Sequence, residues 1–299
     1  MKSCTRREAL TRMGVGAALL AGGGFPARAQ AASSLALARN GEPEALTRAA
    51  IDALGGMGRF VPRGATVVLK PNIGWDRAPE QAANTHPAVV AILVTLALEA
   101  GAAKVRVMDH TCNDARRCYR RSGIQESAEQ AGADLLHLRD GRGTQMHIGG
   151  ELIGDWPVHR EVVEADVLIN VPIAKHHSLT RASLGMKNWL GAIGGRRNQL
   201  HQNVPLASVD LAAFFKPQLT VLDGTRVLLR NGPQGGDPAD VSHPRVLMAG
   251  VDPVAIDAFG GTLLDLTPDD LPHLAMATAR GLGSIDWDRS DLARIDLGA

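Results

Sequence analysis

"ATVVLKPNI" (Ala65–Ile73), "HPAVVAILVTLALEAGA" (His86–Ala102) and "KVRVMDH" (Lys104–His110) follow one another along the chain, and their order decides the fold. The first is a short β-branched run that stops at Lys-Pro-Asn, the pattern of a buried strand entering a loop. The second has helix length, with Pro87 near its first turn and Gly101 just past its end. The third is a strand again. Strand, helix and strand at this spacing predict a parallel sheet with right-handed crossovers. Downstream, "GIQESAEQAGA" and "DLLHL" repeat the alternation.

Further along, "ADVLINVPI" (Ala165–Ile173) reads as a buried strand, "LGMKNWLGAIGG" as a short helix and "VPLASVDLAAFF" as an amphipathic helix. "QLTVLDGT" and "HPRVLMAG" are further strands, and "DPVAIDAFGGTLLDL" starts a helix with Asp252 at the N-cap and Pro253 in the first turn. "HLRDGRGTQMHIGGELIGDWPVHR" (His137–Arg160) is polar and glycine-rich, and predicts a hairpin or excursion outside the core. The expected architecture is α/β: a mostly parallel sheet with helices on both faces, Rossmann-like, plus that small excursion. With no repeat, low-complexity tract or linker, residues 30–299 are expected to form a single domain.

The chain has 299 residues, 32 of them basic and 31 acidic. Setting aside the five basic residues and one acidic residue of the first 29 leaves 27 against 30, a net charge of −3. An acidic body with 3% aromatic residues makes nucleic acid an unfavourable partner. The basic start has its own reading. Arg6 and Arg7 precede a short apolar stretch, "MGVGAALLAGGG", and then "ARA" ending at Ala29. That order predicts a twin-arginine-type signal over 1–29 with cleavage after Ala29, engagement of the twin-arginine export machinery and a periplasmic or other extracytoplasmic location. The apolar stretch is too short and glycine-rich for a stable membrane span, and none is expected in the mature chain. Beyond the signal only Cys112 and Cys118 remain. Without a four-cysteine set, no intrinsic iron–sulfur cluster is expected. In an oxidising compartment the two thiols are candidates for a small disulfide.

Open parallel sheets bind ligands beyond the carboxyl ends of their strands. The predicted strands stop at Lys70-Pro71-Asn72, at Asp109-His110, at Lys175-His176-His177 and at Asp223-Gly224, so a parallel sheet gathers these groups along one edge. Lys70 and Asn72 suit an anionic group. In "NTHP", Asn84 or Thr85 is expected to cap the following helix, whose free N–H groups favour a carboxylate or phosphate if that end faces the crevice. Asp109, His110 and Cys112 are three metal-capable donors in four residues, weak candidates because the spacing matches no established site. Adjacent residues at a strand exit diverge, so His177 together with Lys175 is expected to face the crevice. Lys187 and Asn188 lie on the next helix, and His201 stands alone in "NQLHQN". Asp257, inside an apolar helix, needs a partner, for which Lys187 or a bound cation is a candidate.

"VVLKPNIG", "THPAVVAIL", "AGAAKVRVMDH", "ADVLINVPIAKHH", "TRASLGMKNWLGAI", His201, "LTVLDGT" and "VLMAGVDPVAIDAFG" stand in the order found in an uncharacterised prokaryotic family, domain-of-unknown-function family 362, which this chain resembles over about residues 60–265. Longer relatives carry a ferredoxin-like module with two four-cysteine motifs, and some carry twin-arginine signals. The resemblance implies a shared polar site and marks Lys70, Asn72, His86, Lys175, His177, Lys187, Asn188, Asp223, Asp252 and Asp257 as its positions. It implies no reaction.

Two classes of function fit. One is an exported enzyme or cofactor-handling protein that holds a small anionic ligand, cofactor or metal among Lys70, Lys175 and Lys187, with His177 as acid or base. The other is a non-catalytic periplasmic binding protein, or an accessory protein for a redox partner, using the same lysines. The cofactor is not identified by the sequence.

Overall fold

The computed structural model describes residues 33–138, 141, 143–289 and 291–298. Arg6, Arg7, Ala29 and the signal they define lie outside the described residues.

The strands are β1 (Leu35–Arg39), β2 (Thr66–Pro71), β3 (Lys104–Asp109), β4 (Asp134–His137), β5 (Gly143–His147), β6 (Asp155–His159), β7 (Val167–Val171), β8 (Ile173–His177), β9 (Arg181–Ser183), β10 (Leu219–Leu228), β11 (Val241–Ser242), β12 (Val246–Gly250) and β13 (Leu292–Asp296). The helices are α1 (Pro43–Ala53), α2 (Pro87–Glu99), α3 (Ala115–Arg121), α4 (Ile124–Gln130), α5 (Arg160–Val163), α6 (Val204–Phe215), α7 (Pro253–Thr262) and α8 (Pro272–Ala279). The main sheet runs β13-β1-β12-β10-β7-β2-β3-β4. Its centre, β10-β7-β2-β3-β4, is parallel throughout, while β12 runs antiparallel to both β1 and β10. The fold is therefore α/β with a mostly parallel, mixed sheet.

Period-two alternation divides the core between the two faces. Leu35, Leu37, Val68, Leu168 and Leu222 pack with Leu211 and Phe215 of α6, Phe259 of α7 and Leu274 of α8. Ala36, Ala38, Val67, Leu69 and Ile169 pack on the other face with Ile51 of α1, Val90 and Leu93 of α2 and Ile124 of α4. Proline stands in the first turn of α1, α2, α6 and α7, where its missing N–H costs nothing.

Four expectations need correction. β10 does not end at Asp223: it continues to Leu228, changing its neighbour from β7 to β8. Lys175, His176 and His177 are not a strand exit but the body of β8, which pairs with that second half of β10 and with β9. The expected cap of α2 is neither Asn84 nor Thr85. It is His86, whose Nδ1 accepts from the Ala88 N–H. The polar excursion is a hairpin, β5–β6, but it is tied to the core: Ile153 and Val158 are buried, and the buried carboxylate of Asp210 accepts the N–H groups of Glu151, Leu152 and Ile153. Among the described residues no helix is long and apolar enough to cross a membrane.

Candidate functional site

The parallel register brings the chemistry together. Lys70 lies beside Asn170 on β7, one residue before β2 ends. Buried in an otherwise apolar sheet, its ammonium spends all three protons: on Asp109 Oδ1 at 2.7 Å, on Asn188 Oδ1 at 2.9 Å and on the Pro71 carbonyl at 2.9 Å. Asp109 is fixed in turn by the Ile73 N–H at 2.7 Å. Asn188 is the hub. Its Nδ2 donates to the Lys70 carbonyl and to Asn170 Oδ1, and its Oδ1 also accepts from Asn72 Nδ2. A lysine and an amide so deep in a sheet are tolerable because their polar atoms are partnered, Asp109 Oδ1 being held by its ion pair with Lys70 alone.

Lys175, in the middle of β8, reaches the same place. Its Nζ donates to Asn72 Oδ1 at 3.0 Å and to the Ala83 carbonyl at 2.5 Å. Lys187 opens a short 3-10 turn, Lys187–Ala192, and donates to Ser183 Oγ of β9 at 3.3 Å. That turn passes closely over the Lys70–Asp109 pair because of Gly191: a Cβ there would stand 1.9 Å from Asp109 Oδ1 and 2.7 Å from Lys70 Nζ. Arg197 clamps the turn from outside through the carbonyls of His110, Leu190 and Thr111.

Of the three lysines, only Lys70 has a carboxylate in contact among the described residues, Asp109, and the electrostatics follow. Burial first, and the nearby Lys187 second, pull Lys175 down to about 7. Burial lowers Lys187 to about 8, with Lys70 adding to the shift. His177 Nδ1 accepts from the Leu179 and Thr180 N–H groups, which places the imidazole proton on Nε2. Burial, with the field of Lys187 and Lys175, holds this ring at about 3. His177 is therefore a neutral hydrogen-bond donor near neutrality, while Lys175 is the member of the cluster whose pKa lies nearest neutrality. His176 turns away, accepting from the Gly232 N–H. His201 is exposed, within electrostatic reach of His177.

The remaining candidates have structural work. Asp223 accepts from the His86 N–H and from Thr225, so it supplies the carboxylate at the start of α2 and no free N–H of His86 is left for a ligand. Burial and the adjacent Arg226 lower the His86 pKa. Thr85 donates to the Val171 carbonyl and accepts from the Asn72 N–H, tying the Asn72 loop to β7. The Asp257 oxygens take the Gly185 and Met186 N–H groups, with His273 Nε2 at 3.2 Å, in place of the expected Lys187 contact. Asp252 caps α7 and holds Ser284 and Arg289. Because β12 runs antiparallel, it leaves the sheet away from the lysines.

Among the described residues no three His, Cys, Asp or Glu side chains are placed to hold a metal. Asp109 is committed to Lys70 and Ile73, and His110 Nδ1 lies 3.0 Å from the Ile193 carbonyl. Cys112 is an exposed free thiol, and Cys118 a buried one pushed up to about 11 by its burial. Asn170, Ser183, Gly191 and Arg197 are members of the site that the sequence reading passed over. An asparagine inside "VLINV" was the available signal for Asn170.

Beside Lys187 a cleft of about 350 Å³ opens between the β8–β9 hairpin, α6 and α8. Leu179, Leu184, Val204, Pro205 and Pro272 give it an apolar wall.

Residues 67–262 match the family described as Domain of unknown function (DUF362), which includes every lysine of the cluster. The chain belongs to this family. Its motifs had pointed there. The thylakoid-associated protein sll1697 of Synechocystis sp. is similar, 29% identical over 243 residues that cover 79% of this chain and 74% of that protein. A solved structure, the lactate racemase apoprotein from Thermoanaerobacterium thermosaccharolyticum, aligns at a TM-score of 0.40 and 12% identity over 72% of this chain. This chain spans about half of the racemase, 53% of its length. At that score the likeness bears on neither the site nor a reaction.

Proposed function

We propose that this DUF362 chain binds a small anionic ligand at the Lys70–Lys175–Lys187 cluster, that Lys175 exchanges a proton with it, and that it works outside the cytoplasm after twin-arginine export. One observation carries the ligand reading: three lysines gather at one place, and among the described residues only Lys70 has a carboxylate in contact, Asp109. Buried positive charge without a counter-charge is expensive. A carboxylate or phosphate entering beside Lys187 supplies that counter-charge, with His177 Nε2–H as a neutral donor. Lys70 and Asn188 hold the floor, and neither has a hydrogen-bonding group left over for a ligand.

Calorimetric titration with acetate, succinate and inorganic phosphate tests this. At pH 8 to 9, binding of the fitting anion is expected to draw protons onto Lys175 and Lys187, seen as a heat that depends on the buffer. Losing one charged hydrogen bond, in Lys187→Met, is expected to cost roughly ten- to a hundred-fold in affinity. If none of the three anions binds, or binding takes up no proton, the proposal fails.

A further inference from the structure

Lys187 differs from its neighbours in what it leaves unused. Lys70 donates to three acceptors and Lys175 to two, all at 3.0 Å or less. Lys187 donates to Ser183 Oγ at 3.3 Å and, among the described residues, has no carboxylate partner. It is also the one of the three that lines the cleft. Of the other charged side chains there, Arg181 pairs with Asp270 at 2.5 Å and His273 lies 3.2 Å from Asp257, while Asp269 adds an exposed carboxylate to the same lining. The cleft therefore presents one uncommitted primary amine, beside a wall of leucine, valine and proline, with two further lysines behind it.

We propose that the cleft takes a 2-oxo carboxylate with a short alkyl chain and that Lys187 Nζ condenses with its carbonyl carbon to form an imine. The inference rests on the anionic-ligand reading above and names the ligand class of that site. A phosphate site is usually built from backbone N–H groups and arginine forks; here the available group is a nucleophile, and an apolar wall matches an alkyl chain rather than an inorganic ion. Lysines activated for such chemistry are desolvated or placed next to another cation, and Lys187 meets both conditions. Its basicity, lowered to about 8, leaves a usable share of free amine at neutral pH.

The step balances without a co-reactant. The neutral amine attacks the carbonyl carbon and a carbon–nitrogen bond forms. The nitrogen gives up a proton as the oxygen gains one, and the carbinolamine then loses its hydroxyl with the second amine proton as water. Nothing is oxidised or reduced. The ligand carboxylate faces the field of Lys175 and Lys70, which draws it to the inner end of the cleft and leaves the alkyl chain towards Leu179 and Pro272.

The test uses the full chain with 2-oxobutyrate and sodium borohydride, which reduces an imine irreversibly. Intact mass is expected to show one reduced adduct per chain, peptide mapping is expected to place it on Lys187, and its yield is expected to rise through about pH 8. Lys187→Arg is expected to lose the adduct while keeping its fold by circular dichroism. The 2-hydroxy analogue, which lacks the carbonyl, is expected to compete with trapping. If that analogue or acetate binds but 2-oxobutyrate is not trapped, the imine is wrong and the anion site stands. If none of them binds, both readings fall. An adduct that maps to exposed lysines such as Lys104, and survives in Lys187→Arg, is adventitious labelling and overturns the assignment.

Discussion

Burial lowers the pKa of Lys70, Lys175 and Lys187 alike, so the charge on these lysines bears on how stability depends on pH. Lys175, with no carboxylate in contact, has its pKa lowered to about 7 chiefly by burial. In the unfolded chain an ordinary lysine titrates near 10.4. Between those values the unfolded state binds the proton and the folded state does not, so stability rises with pH. The penalty for burying the charge is complete below about 7 and is relieved as pH rises through the window. One such group contributes a slope of at most about 1.4 kcal/mol per pH unit. Cys118 opposes it, because its native pKa near 11 means the unfolded thiol loses its proton first and stability falls at alkaline pH. The comparison is therefore between wild type and Lys175→Met, by urea denaturation without ligand from pH 7 to 9. The wild type is expected to gain stability relative to the variant across that range. Parallel pH profiles would show that Lys175 stays charged in the folded protein, and the proton-exchange role would go with it.

At the scale of elements, the Lys187–Ala192 turn is what closes the cluster, and Gly191 sets how near it can come. Adding one methyl there meets Asp109 Oδ1 and Lys70 Nζ, two buried charged atoms that cannot retreat without parting. Gly191→Ala is expected to cost about 2–3 kcal/mol by overpacking, and to weaken anion binding because Lys187 is displaced. Gly154→Ala, where nothing lies within 4 Å of an added Cβ, is the control and is expected to stay within about 0.5 kcal/mol. Equal unfolding midpoints for the two variants would show that the turn has room, contrary to the close approach. The same turn shows what the sequence could and could not disclose. β2, α2, β3 and β7 were legible because burial on both faces leaves near-continuous apolar runs, and the strand-end rule then placed Lys70, Asn72 and Asp109 on one edge. β8 was not legible as a strand: "AKHHS" has no strand signature, and its pairing depends on β10 running six residues further than its apolar start suggests. The aspartates divide in the same way. Asp252 was legible as the cap of α7, whereas the backbone N–H groups that reach Asp223 from His86, and Asp257 from Gly185 and Met186, lie far away in sequence.

The whole molecule assembles this site from segments far apart in the chain: Lys70 and Asn72, Asp109, Asn170 and Lys175, then Lys187 and Asn188. Every contact among these segments is non-local apart from the nearest neighbours, and parallel sheets with such contacts fold slowly because loops must close before the contacts stabilise anything. A chain of this kind is poorly suited to crossing a membrane unfolded and reassembling outside. We propose that the paired Arg6–Arg7 start sends such a chain out already folded. Changing both residues, Arg6→Lys and Arg7→Lys, preserves the charge and removes only the guanidinium pair. Fractionation of cells expressing each form is expected to find wild type outside the cytoplasm, with a mature N-terminus near Gln30, and the double variant inside as full-length precursor. If the double variant leaves the cytoplasm as efficiently as wild type, the chain travels by another route and the argument from slow folding loses its support. If the two forms both remain inside with Met1 intact, the first 29 residues are not a signal, and the ligand must then be sought in the cytoplasm.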